Sequence, residues 1–261
     1  MIPLTHFLHE FYLEPVINKR LNYRFETITT DSSNKKRIVE KSIIREVEFT
    51  HLGQRHELFV FDVFTARVTL SSNQTIKNER LLKEDIYAFD DIEMGVNDKG
   101  EISKVYNIKE MQYRWKSKMI ELRVDNSGYE LEAFFDEISD VMNDTEKLLF
   151  YLNSKNMFGL YFHGLFGKND MHVVPKKRTA AILDLDDVLV TEEIWTDNRE
   201  PSFVIRAQKT NDIHKNIESS SDVLKKYEGE LRYNQDHQMV EGFLEIENEN
   251  LNIKHNVLWV G

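Results

Sequence analysis

Apolar and polar residues alternate in two separated stretches of the chain, and both stretches predict β-strands. In the first stretch, about 20–106, Leu21, Tyr23 and Phe25 alternate with polar neighbours. Residues 58–70 are rich in Phe and Val and predict a long central strand. We expect turns at 51–54 and at 97–100, where Gly100 supplies the left-handed conformation of a hairpin. Short connections of this kind favour antiparallel pairing.

The second β-rich stretch covers about 171–261. Its candidate strands are 179–189, 190–195, 202–207, 227–233, 240–246 and 251–260. Residues 212–226 are polar and predict a loop with a short helix. The last three candidate strands are separated by short Asn- and Asp-containing segments, which are typical of tight turns, so we expect a meander there.

Between the two β arms, residues 107–167 show helical periodicity. A stripe of apolar residues recurs at spacings of three and four: Ile108, Met111, Trp115, Met119 and Leu122. The opposite face carries Lys109, Arg114, Lys116 and Lys118. A second stripe starts at Leu131, and Asp144 with Thr145 can cap a third helix. Asn107 predicts a capping pair with Glu110.

Two further segments complete the prediction. Leu4, Leu8 and Phe11 recur at helical spacing, so we expect an N-terminal helix over about 4–13, ended by Pro15. Residues 157–167 are the most apolar part of the chain, and we expect them to form a buried connection because they are too short to cross a bilayer.

The order of elements predicts an α+β fold in a single domain, 1–261. No strand–helix–strand alternation appears, so we do not expect a parallel doubly wound sheet. We expect the two arms to join into one curved antiparallel sheet or incomplete barrel, with a block of two to three helices packed on it. This order is similar to that of the incomplete barrels of bacterial lipoprotein carriers and of helix-grip folds. The likeness concerns element order and implies no function.

Composition narrows the functional classes. The net charge of -11 and pI of about 5.4 disfavour nucleic acid as a partner. The chain has no cysteine, which excludes disulfides and thiolate chemistry, and its 10 glycines are few for a nucleotide-binding architecture. The first residues lack the features of a secretory signal, and no apolar run is long enough to span a membrane. We therefore expect a cytoplasmic protein.

One short motif points to chemistry. Residues 181–189 resemble the first motif of haloacid-dehalogenase-type phosphatases, which implies Asp184 as nucleophile and Asp186 as general acid/base with Mg²⁺. In that family the motif opens a domain of alternating strands and helices. Here only about 75 residues follow it, and their pattern is antiparallel β. A strand with aspartates near its rim is the simpler interpretation.

The sequence therefore predicts no catalytic, cofactor-binding or metal-binding residue and no cofactor. The favoured hypothesis is a non-enzymatic acidic interaction protein of the immunity, chaperone or assembly-component type, with a protein partner of basic character. The first alternative is a carrier of a small apolar ligand held between sheet and helices, with Met111, Trp115 and Met119 as the cavity face. The second is a Mg²⁺-dependent hydrolase using Asp184 and Asp186. The oligomeric state stays open.

Overall fold

The computed structural model describes residues 10–76, 79, 83, 87–125, 127–154, 156–163, 165–170, 176–182, 188–197, 202–209 and 224–261. For most of residues 176–182 and for all of residues 202–209, only the backbone is described. Three predictions fall wholly or mainly outside these ranges: the N-terminal helix up to residue 9, the candidate pair Asp184 and Asp186, and the loop at 212–226 up to residue 223.

Within the described residues, eleven strands form one antiparallel sheet that is curved and open. Its spatial order is β6-β5-β4-β3-β2-β13-β12-β11-β10-β9-β8. Two further strands, β1 and β7, form a separate antiparallel pair. The strands are β1 Glu10–Leu13, β2 Arg20–Asp31, β3 Val39–Arg55, β4 Leu58–Ser72, β5 Asp91–Val96, β6 Ile102–Val105, β7 Gly167–Asp170, β8 Lys176–Ile182, β9 Val188–Asp197, β10 Ser202–Lys209, β11 Lys226–Tyr233, β12 Met239–Glu247 and β13 Leu251–Trp259.

The two predicted arms join where the first long strand pairs with the last. Strands β2 and β13 are antiparallel neighbours, in a register that places Phe25 opposite Val257 and Thr27 opposite His255. Every other neighbouring pair in the sheet follows chain order, including the predicted meander β11–β12–β13. The predicted α+β fold with one curved antiparallel sheet is therefore confirmed.

Two local predictions in the N-terminal part of the chain are wrong. Residues 51–54 do not turn but continue strand β3, whose register shifts between His51 and Gly53 because Gly53 (φ +100°) forms a bulge. The chain reverses at His56 and Glu57 instead, both at positive φ. Residues 10–13 are strand β1 and not the end of a helix, because their backbone pairs with β7. In contrast, Gly100 adopts the predicted left-handed conformation, at φ +77°.

Four helices follow strand β6 in the described part of the chain: α1 Ile108–Asp125, α2 Tyr129–Asn143, α3 Thr145–Ser154 and α4 Asn156–Tyr161. The predicted cap of α3 is confirmed, because Asp144 Oδ1 accepts hydrogen bonds from the backbone of Glu146 (2.9 Å) and Lys147 (3.1 Å). Among these helices, none combines the length and apolar character that crossing a membrane requires.

Helix α3 lies against both edge strands of the curved sheet, β6 and β8. On the β6 side, Asn153 pairs with the strand as a neighbouring backbone would. Its Oδ1 accepts from the Ile102 amide at 2.8 Å, and its Nδ2 donates to the Ile102 carbonyl at 2.9 Å. The side chain thereby satisfies the backbone groups that an edge strand otherwise exposes. The sheet does not close into a barrel, and helix α3 lies against the strand at each of its two edges.

The predicted buried connection is confirmed as α4 and the residues after it. Phe158, Leu160, Tyr161, Phe162, His163, Leu165 and Phe166 are all buried. The Tyr161 ring stacks on Phe49 at 4.0 Å and meets Tyr23 edge-to-face at 5.3 Å. Tyr23 donates to the Met239 carbonyl at 3.1 Å. These aromatic contacts fix α4 against the centre of the sheet.

Several polar groups inside this core are hydrogen-bonded, and burial shifts the pKa values of some of them. His163 Nε2 bonds the Tyr233 hydroxyl, and burial raises the pKa of the Tyr233 phenol well above its usual value. On β13, His255 Nδ1 lies 3.0 Å from Thr27 Oγ1. The pKa of His255 is lowered to about 3, mainly by burial and to a smaller extent by the nearby positive charge of Arg45. Its imidazole is therefore neutral in the folded protein at pH 7.

Candidate functional site

Helix α1 is anchored to strand β5 by polar contacts at its first turns. Asn107 Oδ1 accepts from the Glu93 amide at 2.9 Å, and Asn107 Nδ2 donates to the Asp91 carbonyl at 3.1 Å. Arg114 Nη2 donates to the same carbonyl at 2.6 Å. The predicted capping role of the Asn107 side chain at α1 is not what these bonds show, because the side chain is bonded to β5. These contacts fix which face of α1 points toward the protein interior.

The predicted cavity residues lie together on that inner face. Met111 and Trp115 are 1% and 3% exposed, and Met119 is half-buried against the core. Trp115 Nε1 donates to Ser139 Oγ on α2 at 3.0 Å, and its ring meets Phe134 of α2 edge-to-face at 5.7 Å. The contacts show that Trp115 packs between two helices. A ligand cavity at this face stays a prediction.

The opposite face of α1 carries a second apolar stripe. Tyr113, Ile120 and Val124 are 74%, 68% and 78% exposed, and Tyr129, the first residue of α2, is 88% exposed. They are the four most exposed large apolar side chains among the described residues. We call this set the solvent stripe. Single exposed apolar residues are ordinary, but several on one helical face indicate a contact surface.

Helical geometry explains the arrangement of the two stripes. Tyr113, Ile120 and Val124 follow each other at spacings of seven and four, so they lie on one face, on the side of the helix opposite Met111 and Trp115. In the sequence, the basic residues of this face were recognised and its apolar residues were missed. A search for a second stripe at the same spacings would have found them.

Basic residues border the solvent stripe on one side. Lys109, Lys116 and Arg123 are seven residues apart and therefore form one row beside it. Arg123 donates to both carboxylate oxygens of Glu132 on α2, at 3.1 and 2.7 Å, which lowers the pKa of the Glu132 carboxyl. Lys109 and Lys116 are exposed and form no ion pair with any residue that the structure describes. Their charges are available to a partner.

The other border of the stripe is acidic. Glu110 and Glu121 lie on that side, and Glu121 accepts from Lys118 Nζ at 2.9 Å. The solvent face of α1 therefore has an apolar centre, a basic edge and a mixed, mainly acidic edge. In the described part of the chain, no three carboxylate or imidazole groups come together as a candidate metal site. The solvent stripe itself consists of two tyrosine side chains and the side chains of Ile120 and Val124.

Comparisons with known proteins add little to this geometry. No family model matches the chain, and no curated protein matches it. Among solved structures it is similar to one titled "lipid-protein interactions in lipovitellin", with 8% sequence identity and a TM-score of 0.48. The match covers 95% of this chain and 26% of that one, so the chain spans about a quarter of that protein's length. A likeness with this identity and TM-score does not indicate a function for the chain.

Proposed function

We propose that this protein is a non-enzymatic interaction protein that binds a protein partner through the solvent stripe on α1 and the start of α2. The observation that carries the proposal is the exposure of Tyr113, Ile120 and Val124 on the outer face of α1 and of Tyr129 at the first position of α2. Each such side chain contributes about 1.5–3 kcal/mol when it is removed from water. A partner that covers the stripe therefore gains affinity without any change in the fold.

The rigid support of α1 strengthens the proposal. Gln112 Nε2 donates to the Met142 carbonyl at 3.0 Å near one end of the α1–α2 hairpin, and Arg123 pairs with Glu132 near the other. Trp115 and Ser139 bond between these ends. A surface held in this way loses little conformational freedom when a partner binds, so less of the binding energy is lost to ordering.

The charges beside the stripe favour a particular kind of partner. Lys109 and Lys116 favour a partner whose apolar surface is bordered by carboxylates. Net charge alone favours a basic partner, but α1 is locally basic although the chain carries a net charge of -11. An amphipathic helix with an acidic edge fits the stripe and its basic border, since it can lay its apolar face along α1 and its carboxylates beside Lys109 and Lys116.

The test compares partner capture by matched variants. Wild-type protein, a stripe variant (Tyr113→Ser, Ile120→Ser, Val124→Ser) and a control variant (Ile38→Ser, Phe64→Ser, Val260→Ser) are purified gently from their native cells and examined by native mass spectrometry. All six positions are large, exposed apolar residues. We expect a stoichiometric protein partner with wild type and control but not with the stripe variant. Retention by the stripe variant, or no partner with wild type, contradicts the proposal.

A further inference from the structure

A second, separate surface lies on the face of the sheet that points away from α4. Strands β11, β12 and β13 form a groove of about 430 Å³ there. Two cross-strand rows line it, one of Glu230, Phe243 and Asn256 and the other of Arg232, Glu241 and Leu258. Phe243 and Leu258 are 45% and 47% exposed, so the groove offers apolar surface between polar walls. This groove lies in a different part of the fold from the solvent stripe.

The charges in the groove are arranged unevenly. Arg232 is hydrogen-bonded to Glu241, which neutralises the second row. Glu230 stands directly opposite Phe243 in the first row and forms no ion pair with any residue that the structure describes. The groove therefore offers one carboxylate beside an aromatic ring and a leucine. That set of groups matches a cation carried on an apolar stem.

We propose that this groove binds a lysine or arginine side chain from a basic protein segment, with the cation at Glu230 and the methylene stem along Phe243 and Leu258. A charge-assisted hydrogen bond to Glu230 gives the contact direction, and the ring face attracts the same cation. An anionic group is repelled by Glu230, and a purely apolar ligand would remove that carboxylate from water without compensation. Net charge of -11 draws basic segments toward the protein at longer range.

The groove and the solvent stripe then have opposite preferences. The stripe has a basic edge at Lys109 and Lys116, whereas the groove contains Glu230, a carboxylate that forms no ion pair within the described part of the chain. The groove and the solvent stripe share no residue, so each of the two binding proposals can fail without the other. If both hold, the protein joins two segments of different charge.

Two fluorescent peptides test the groove by anisotropy at about 0.15 M salt, where long-range attraction is largely screened. One alternates lysine with leucine, and the other has serine in place of each lysine. We expect saturable binding of the lysine peptide alone. Glu230→Gln and Phe243→Ser should each weaken it about tenfold or more, a typical loss at a central contact.

Matched controls separate the groove from general attraction to an acidic protein. Glu249→Gln removes an exposed carboxylate outside the groove, Phe64→Ser removes an exposed phenylalanine on β4, and Ile120→Ser alters the solvent stripe. We expect all three to bind the lysine peptide as wild type does. Equal losses with Glu249→Gln and Glu230→Gln, equal binding of both peptides, or no binding to wild type would each overturn the inference.

Discussion

The two faces of helix α1 contain similar residues in opposite environments. The inner face packs Met111 and Trp115 against α2 and the sheet, whereas the outer face leaves Tyr113, Ile120 and Val124 in water. Both sets recur at helical spacing, so periodicity alone does not distinguish them. The difference teaches that one helix can hold a fold together with one face and offer a contact surface with the other.

The consequences of mutation should differ as sharply as the environments. A buried side chain contributes through the contacts and the apolar area that it loses when truncated, while an exposed one contributes almost nothing to the stability of the isolated protein. Paired substitutions of the same residue type, one buried and one exposed, therefore test whether the assignment of the two faces is right.

The largest effect is expected at Trp115. Trp115→Ala should lower the free energy of unfolding by about 3–5 kcal/mol, because it leaves a cavity between α1 and α2 and removes the donor to Ser139. Tyr113→Ala, two residues earlier on the other face, should change it by less than about 0.5 kcal/mol. Urea unfolding followed by circular dichroism measures both. Similar losses at the two positions would show that α1 is oriented differently.

Two histidines in opposite environments, the buried His255 and the exposed His56, extend the comparison to the dependence of stability on pH. The pKa of His255 is lowered to about 3 in the folded protein, while the unfolded chain binds its proton near the ordinary value of about 6.5. As pH falls from about 6.5 toward 3, the imidazole of His255 binds a proton in the unfolded state but stays neutral in the folded state. This residue alone should therefore reduce stability by about 1.4 kcal/mol per pH unit in that window.

Unfolding in urea at several pH values between 7 and 4 measures this dependence. His255→Gln should make the slope shallower than in wild type, and His56→Asn, at an exposed turn position that asparagine tolerates, should leave it unchanged. Acidic groups whose pKa values are lowered, such as Glu245, are present in all three proteins and cancel in the comparison. Equal slopes for wild type and His255→Gln would contradict the burial of this imidazole.

A smaller effect is expected at Ser139, the partner of Trp115. Ser139→Ala leaves the buried indole N–H without its acceptor and should cost about 1–2 kcal/mol of unfolding free energy. Ser117→Ala, on the exposed face of α1, removes a hydroxyl that bonds the Tyr113 carbonyl of the same helix at 3.2 Å. That change should be within about 0.5 kcal/mol of neutral. The difference between the two serines, measured by chemical unfolding, sharpens the contrast between the faces.

The smallest effect on stability is expected for the stripe variant itself. Replacing Tyr113, Ile120 and Val124 with serine should shift the unfolding free energy by no more than about 0.5 kcal/mol per site, because these side chains are already in water. Thermal unfolding monitored by circular dichroism provides the check. A loss of several kcal/mol would mean that the stripe packs against the protein's own chain, and the docking proposal would then lose its basis.

Much of the fold was predictable because it rests on local patterns. Alternation identified the long strands, short turns made antiparallel pairing the expected choice, and two β-rich stretches around a helical centre led us to expect that the arms join into one sheet. The strands that form the junction, β2 and β13, were not predicted. The strand at 10–13 was not predictable from the N-terminal pattern, because its partner β7 lies about 157 residues later and long-range pairing overrides local periodicity.

The candidate site was less predictable. Sequence identified the inner stripe of α1 but could not separate a cavity face from a helix–helix contact, since both require the same apolar residues at the same spacing. The outer stripe was hidden by the lysines interleaved with it. The bulge at Gly53 and the bonding of Asn107 to β5 depend on three-dimensional partners that spacing does not reveal.

Site-specific photo-crosslinking in native cells tests the central claim most directly. A photoreactive phenylalanine analogue is placed at Ile120, in the solvent stripe, or at Lys99, an exposed hairpin position. The account predicts one discrete protein adduct from position 120, absent from position 99 and abolished when Tyr113→Asp and Val124→Asp are added. No adduct at position 120, or an adduct that survives those two substitutions, would contradict the claim that the solvent face of α1 is a docking surface.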